Sequence, residues 1–130
     1  MLVGCTVLAT VPADAHGRQP RPAPKRQFDL METTVAEVHA AFRSHTLTCV
    51  ALVQGYLDRI EAFDDELKAV VTVAPDALQT AAELDAVYRK HPREVGSLHC
   101  VPILLKDNFN TADMPTTSGS KAFAGLVPAE

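Results

Sequence analysis

The sequence is poor in aromatic residues. They make up 5% of the chain and include no tryptophan, so its hydrophobic fraction of 47% must come mainly from smaller aliphatic side chains. A core of Ala, Val and Leu is typical of helices packed on a buried sheet. A length of 130 residues predicts one small domain with a modest core that needs neither disulfides nor metal.

Positive charge is also scarce in most of the chain. Residues 28–130 contain 8 basic and 15 acidic residues, which gives them a net charge of about −7. Proteins that bind phosphate backbones gather Lys and Arg on one face, whereas the basic residues here are scattered. We therefore expect no nucleic-acid partner.

Cysteines are few and far apart. Cys5, Cys49 and Cys100 form no C-x-x-C motif, and no histidine stands at a usual ligand spacing beside them, so no metal site is predicted. Small buried thiols are the usual state of such residues and are our expectation. A Cys49–Cys100 disulfide in an oxidising compartment stays open as an alternative.

No apolar run is long enough to span a bilayer. The run from Leu2 to Val11 has about ten residues, whereas a spanning helix needs about 20, so no transmembrane segment is predicted. The run ends near Ala13-x-Ala15 and resembles a secretory signal without its basic n-region. The tetrapeptide Leu2-Val3-Gly4-Cys5 also resembles a lipoprotein box, but it stands too close to Met1. Secretion or export is one expected localisation, and the cytoplasm is the other.

A proline-rich basic stretch follows, from His16 to Gln27. Its prolines favour extended, solvated chain, so we interpret residues 1–27 as a signal-like segment and a Pro/basic linker. A polyproline ligand for a partner domain is the alternative. The folded domain is then expected in residues 28–130.

Capping signals predict the first two helices. Thr34-x-x-Glu37 is a capping box, which predicts a helix that starts at Val35 and ends in the polar stretch 44–46. Thr48 is a second candidate N-cap, for an amphipathic helix to about Phe63. We expect these two helices to pack as a hairpin.

The next segments predict a strand and a third helix. Leu67–Val73 is short, apolar and rich in β-branched residues, which favours a buried strand. Asp76, with Gln79 three residues later, can cap a helix that ends near Lys90-His91-Pro92.

The segment Val101–Lys106 carries the candidate chemistry. It is an apolar run that ends in a cation and continues into the loop-like stretch 107–111, which predicts an interior strand that delivers Lys106. A lysine removed from water can act as a base near neutral pH, because burial disfavours its charged form, and it can then accept a proton from serine. The alternative is that Lys106 snorkels at a strand end.

Two stretches resemble a known family. Residues 97–108 read SLHCVPILLKDN and residues 114–120 read MPTTSGS. They closely resemble the L-H-G-[IV]-P-[IVL]-x-[LV]-K-D-N and T-T-x-G-S segments of the amidase signature family. Upstream, TVAE at 34, LDRI at 57 and LKAV at 67 are similar to its opening helices and first strand. The resemblance covers residues 28–130 and implies an α/β fold: the N-terminal part of an α/β/α domain, with helices followed by strands of an incomplete mixed sheet.

The resemblance also implies a reaction. Family members hydrolyse amide carbon–nitrogen bonds with a Ser, cis-Ser, Lys triad and no cofactor, and Lys106 stands at the lysine position. A small-molecule amide is the implied substrate. Cys100 stands where the family usually has glycine, and the family's two serines lie in a glycine- and serine-rich segment beyond Glu130.

Neither serine after Lys106 is expected to be the nucleophile. Ser118 and Ser120 lack the G-x-S-x-G elbow that presents such a residue. We therefore expect a fragment of an amidase that is inactive alone, with Lys106 as its one catalytic residue. Unpaired strand edges predict self-association. The alternative is a non-catalytic helical fragment that associates with a full-length relative or another partner.

Overall fold

The computed structural model of the chain describes residues 28–129, so the predicted signal-like segment and linker lie outside the described residues. It contains three α-helices: α1 is Val35–Arg43, α2 is Cys49–Leu67 and α3 is Ala77–Lys90. A short 3-10 helix follows at Lys121–Phe123. Over residues 28–129, no helix combines the length and apolar character needed to cross a membrane.

Helix α1 begins with the predicted capping box. The Thr34 hydroxyl accepts a hydrogen bond from the Glu37 amide at 3.2 Å, and the Glu37 carboxylate accepts one from the Thr34 amide at 2.7 Å. The backbone and side-chain hydrogen bonds from Thr34 lower the pKa of Glu37. The predicted start at Val35 is confirmed.

Helix α2 starts after Thr48, as predicted, but it has a second cap from a distant residue. The Thr48 hydroxyl accepts from the Ala51 amide at 3.1 Å. The two carboxylate oxygens of Asp85, in α3, accept from the amides of Cys49 and Val50 at 2.8 and 3.1 Å. The first three amides of α2, which have no partner inside a helix, are therefore all satisfied by side chains.

The predicted strand at Leu67–Val73 is wrong. Helix α2 continues to Leu67, and Lys68 ends it in the left-handed region at φ 49°. The Asp64 carboxylate then accepts from the amides of Ala69 and Val70 at 2.8 and 3.0 Å. These local bonds use the amides that a strand would offer to a neighbour.

Helix α3 has the predicted limits but not the predicted cap. The Asp76 carboxylate accepts no hydrogen bond from a helix amide and accepts instead from the Thr80 hydroxyl at 3.3 Å. The closely packed helix pair is α2 and α3, so the predicted hairpin of α1 and α2 is wrong. Helix α1 reaches α3 through the rings of Phe42 and Tyr88, whose centroids are 5.9 Å apart.

The core lies where the three helices meet the segment just before Val101. Leu52 is fully buried and Cys49 is 1% exposed. Cys49 and Cys100 are joined by a disulfide across a Cα–Cα distance of 5.5 Å, so the expectation of free thiols was wrong although both residues are buried. The buried residues are Val38, Ala41, Phe42, Leu47, Cys49, Leu52, Ala81 and Cys100.

The sheet implied by the resemblance is not formed within residues 28–129, which contain no strand. The predicted strand at 101–106 has no partner strand there. Three of its apolar side chains are largely exposed: Ile103 at 68%, Leu104 at 80% and Leu105 at 57%. A strand is defined by hydrogen bonds to a neighbour, so an apolar run alone cannot form one.

Candidate active site

Lys106 is the last residue before a turn in the non-helical segment that follows the disulfide. Its carbonyl accepts a hydrogen bond from the Phe109 amide at 3.0 Å, which turns the chain directly after it. Its side chain is exposed. The buried environment that sequence reasoning expected for this lysine is therefore not formed by residues 28–129.

Asp107 points its carboxylate at a second loop. It accepts a hydrogen bond from the Thr117 amide at 2.7 Å, a short one from the Thr117 hydroxyl, and one from the Gly119 amide at 3.3 Å. The Asp107 carbonyl also accepts from the Ser118 amide at 2.8 Å. The Lys-Asp-Asn and Thr-Thr-Ser-Gly-Ser motifs are therefore joined through one aspartate.

These hydrogen bonds favour the ionised form of Asp107. Hydrogen bonds from the Thr117 side chain and then from its backbone lower the pKa of the carboxyl group, and the bonds from Gly119 and Ser118 act in the same direction. Hydrogen bonds to the charged form of an acid favour that form. The negative charge of Asp107, next to Lys106 in the sequence, is therefore bound by the loop at 117–119.

The two candidate serines have structural roles in this loop. Ser118 lies in the left-handed region at φ 51°, followed by Gly119 at φ 72°. The Ser120 hydroxyl accepts from the Ala122 amide at 3.3 Å and so caps the 3-10 helix. That neither serine is the nucleophile stays a prediction.

Thr116 ties the same loop to the rest of the segment. It is 7% exposed, and its hydroxyl donates to the Phe109 carbonyl at 3.1 Å. Its amide donates to the Leu126 carbonyl at 2.9 Å. Residues 106–126 are therefore joined by hydrogen bonds into one loop cluster even without a sheet.

Sequence reasoning missed His99. Its Nε2 lies 3.8 Å from Cys49 Sγ, and its ring stacks on Tyr88 with a centroid distance of 5.7 Å. Its carbonyl lies 3.3 Å from Nε2 of His39. The adjacent pair His99-Cys100 was visible in the sequence, but nothing local indicated that Cys49 would lie beside it.

Comparison with known proteins identifies the family. The family model described as Amidase matches residues 51–130, which include Lys106 and the loop at 117–119. The chain belongs to the amidase family. Helix α3 and all but the first two residues of α2 lie within the matched region of this amidase chain, whereas α1 precedes it.

Curated relatives support the assignment. The amidase chain is 36% identical over 100 residues to a glutamyl-tRNA(Gln) amidotransferase subunit from Streptomyces coelicolor, in a match that covers 77% of this chain and 20% of the relative. It is 41% identical over 98 residues to the corresponding amidotransferase subunit from Thermobifida fusca, with 75% and 20% covered. The chain therefore spans about a fifth of the length of these relatives.

Solved structures agree. The native peptide amidase from Stenotrophomonas maltophilia matches with a TM-score of 0.70 and 42% identity, over 81% of this chain and 21% of that one. A peptide amidase in complex with the competitive inhibitor chymostatin matches with a TM-score of 0.70 and 44% identity, over 75% of this chain and 20% of that one. These neighbours are amidase-signature enzymes of the α/β class.

Proposed function

We propose that this chain is the lysine-bearing part of a hydrolase that cleaves amide carbon–nitrogen bonds, with Lys106 as the catalytic base. The observation that carries the proposal is the family match across residues 51–130, which includes the Lys-Asp-Asn motif. The fixed orientation of Asp107 supports it, because that carboxylate is held by Thr117 and Gly119. Asp107 therefore bonds to the loop at 117–119 and forms no ion pair with Lys106 in the described residues.

The proposed reaction is acyl transfer through a Ser, cis-Ser, Lys triad. Neutral Lys106 accepts a proton from the bridging serine, which accepts one from the nucleophilic serine. The nucleophile forms a bond to the amide carbonyl carbon, backbone amides bind the oxyanion, and the carbon–nitrogen bond breaks as the proton returns to the leaving ammonia or amine. Water then releases the acid. No cofactor enters these steps.

Two parts of this site are proposed to come from outside residues 28–129. One is the pair of serines, which the family resemblance assigns to a glycine- and serine-rich segment. The other is the enclosure that removes Lys106 from water, because its side chain is exposed here. The chain alone is therefore proposed to be inactive. The peptide amidases among its neighbours favour an amidated peptide as the small-molecule substrate.

The first experiment measures ammonia release from an amidated dipeptide by the chain alone. We expect no rate above that of Lys106→Ala. Lys121→Ala is a matched control, because Lys121 is exposed and lies in the same loop cluster. A rate that falls with Lys106→Ala and survives Lys121→Ala would mean that the chain contains its own nucleophile.

A chimera tests the role of Lys106 directly. Residues 51–129 replace the matching part of the Stenotrophomonas maltophilia peptide amidase, to which the chain is 42% identical. We expect Lys106→Ala to lower the turnover of an active chimera by at least about 1,000-fold, because triad members act as a unit. Retained activity in that variant, with Lys121→Ala as the control, would remove Lys106 from the mechanism.

A second candidate function is association with a full-length relative or another partner. The exposed side chains of Ile103, Leu104 and Leu105 favour it, because they form a continuous apolar run without a partner strand in residues 28–129. The same run predicts self-association of the chain. Sedimentation velocity should show oligomers that Leu104→Lys disperses, whereas Leu67→Lys, at a helix end that is 70% exposed, should not. A monomer at all concentrations would contradict this.

A further inference from the structure

We propose that the reduced chain binds one zinc ion through Cys49, His99 and Cys100, in place of the disulfide. The donor atoms of these three residues all lie within 4.8 Å of one another. Two of the residues are in the core, with Cys49 at 1% and Cys100 at 7% exposure. The structure thus brings together a donor set from two segments that are 50 residues apart.

The spacing of the donors fits a tetrahedral ion. Zinc bonds of about 2.3 Å to sulfur and 2.0–2.1 Å to nitrogen place a sulfur and a nitrogen ligand about 3.6 Å apart. Cys49 Sγ and His99 Nε2 lie 3.8 Å apart. Once reduced, the two sulfurs need to separate to about 3.8 Å. The Cα atoms are already 5.5 Å apart, so side-chain rotation can supply that change.

The surroundings hold the imidazole in place. The His99 ring stacks on Tyr88, and the His99 carbonyl lies 3.3 Å from the ring nitrogen of His39. His99 also lines a cavity of about 200 Å³ beside Tyr88 and His39, so one side of its ring faces open space. A tetrahedral zinc ion with three protein ligands takes water as its fourth. Two thiolates and an imidazole form a soft donor set that favours zinc over magnesium or calcium.

The disulfide is replaced by zinc in two separate steps, reduction and then metal binding. A dithiol or phosphine reductant supplies two electrons, the sulfur–sulfur bond breaks, and two protons from solvent give two thiols. Binding of Zn²⁺ then forms two zinc–sulfur bonds and releases those two protons. The disulfide and the zinc ion use the same sulfur atoms, so they exclude each other, and either one joins the first turn of α2 to the segment that carries Lys106.

The test compares the oxidised and reduced forms of the whole chain, in a Cys5→Ser background that removes the third thiol. Co²⁺ serves as the spectroscopic probe and Zn²⁺ as the competitor. We expect the reduced chain to bind one Co²⁺ with a sulfur-to-cobalt charge-transfer band that Zn²⁺ abolishes. The oxidised chain should show no band. Zn²⁺ should raise the melting temperature of the reduced chain only.

Variants assign the ligands. His99→Ala should weaken Zn²⁺ binding by more than about 100-fold, because loss of an outer-shell partner alone costs 10–100-fold. His91→Ala is the matched control, since His91 is exposed and pairs with Glu94 at 3.5 Å. Native mass spectra of the reduced wild type report zinc binding even where a variant folds poorly.

The proposal is overturned by either of two results. One is a reduced chain whose Cys49 and Cys100 thiols are both titratable but which gives no cobalt charge-transfer band and no zinc adduct. The other is Zn²⁺ binding of equal affinity in the oxidised form or in Cys49→Ser, which would place the ion elsewhere.

Discussion

The helical region, residues 34–91, and the loop region, residues 97–129, solve the problem of backbone hydrogen bonding differently. Inside α1, α2 and α3 the amides bond to carbonyls of the same helix, and the first amides of α2 are capped by Thr48 and Asp85. In the loop region the amides bond either to carbonyls in short turns or to side chains such as Asp107. Leu104 stays 80% exposed there. A helix can therefore form most of its hydrogen bonds between residues that are close in sequence, whereas a strand needs a second strand as its partner.

The largest expected effect comes from the covalent bond that joins the two regions. Cys100→Ser removes the disulfide, which closes a sequence separation of 51 residues. Loop-closure entropy then predicts a loss of about 4 kcal/mol from the free energy of unfolding. Urea unfolding of the oxidised chain should show this, with Cys5→Ser as the control. An unchanged midpoint would mean that the two regions are held together without the bond.

The next effect compares one leucine from each region. Leu52→Ala should cost about 3 kcal/mol, because it opens a cavity in a packed core. That side chain is fully buried, whereas Leu104 is 80% exposed. Leu104→Ala should therefore cost less than about 0.5 kcal/mol in the monomer. Thermal melts at low protein concentration check the pair. Equal losses of stability in the two variants would show that Leu104 is buried in solution and that the two regions do not differ in this way.

The smallest effect is confined to the loop region. Hydrogen bonds from Thr117 lower the pKa of Asp107 below the ordinary value of 3.8. A lowered pKa in the folded state means that the contact is fully present above the unfolded-state pKa and is lost as the pH falls through the folded-state pKa. NMR of the Thr117 amide should report that loss in acid.

Asp107→Asn supplies the control for this titration. The variant should remove the pH-dependent shift of the Thr117 amide and leave the α2 amides unchanged. If the α2 amides respond to Asp107→Asn as strongly as Thr117 does, the two regions are not separable in the way described.

The parts of the fold that could be predicted from the sequence are those with local causes. Thr34 and Glu37 are three residues apart, and both partners of the cap are visible in one short motif. Thr48 likewise caps α2 through an amide only three residues later in the chain. The Lys-Asp-Asn motif led to the family, and the family model bears that assignment out.

What could not be predicted depends on contacts between distant residues. The strand expected at Leu67–Val73 does not form, and the Asp64 carboxylate accepts hydrogen bonds from two amides of that segment. The disulfide and the position of His99 depend on how α2 meets the segment before Val101, and no periodicity encodes that. The role of Lys106 stays a prediction, because residues 28–129 leave its side chain exposed.

The second cap of α2 has a consequence for the order of events during synthesis. Asp85 lies 36 residues after Cys49, so a chain emerging from the ribosome makes the first turn of α2 well before the carboxylate that secures it. Until α3 has been made and has docked, the amides of Cys49 and Val50 stay open to solvent. The start of α2, and with it Cys49, is therefore secured only after α3 has been made.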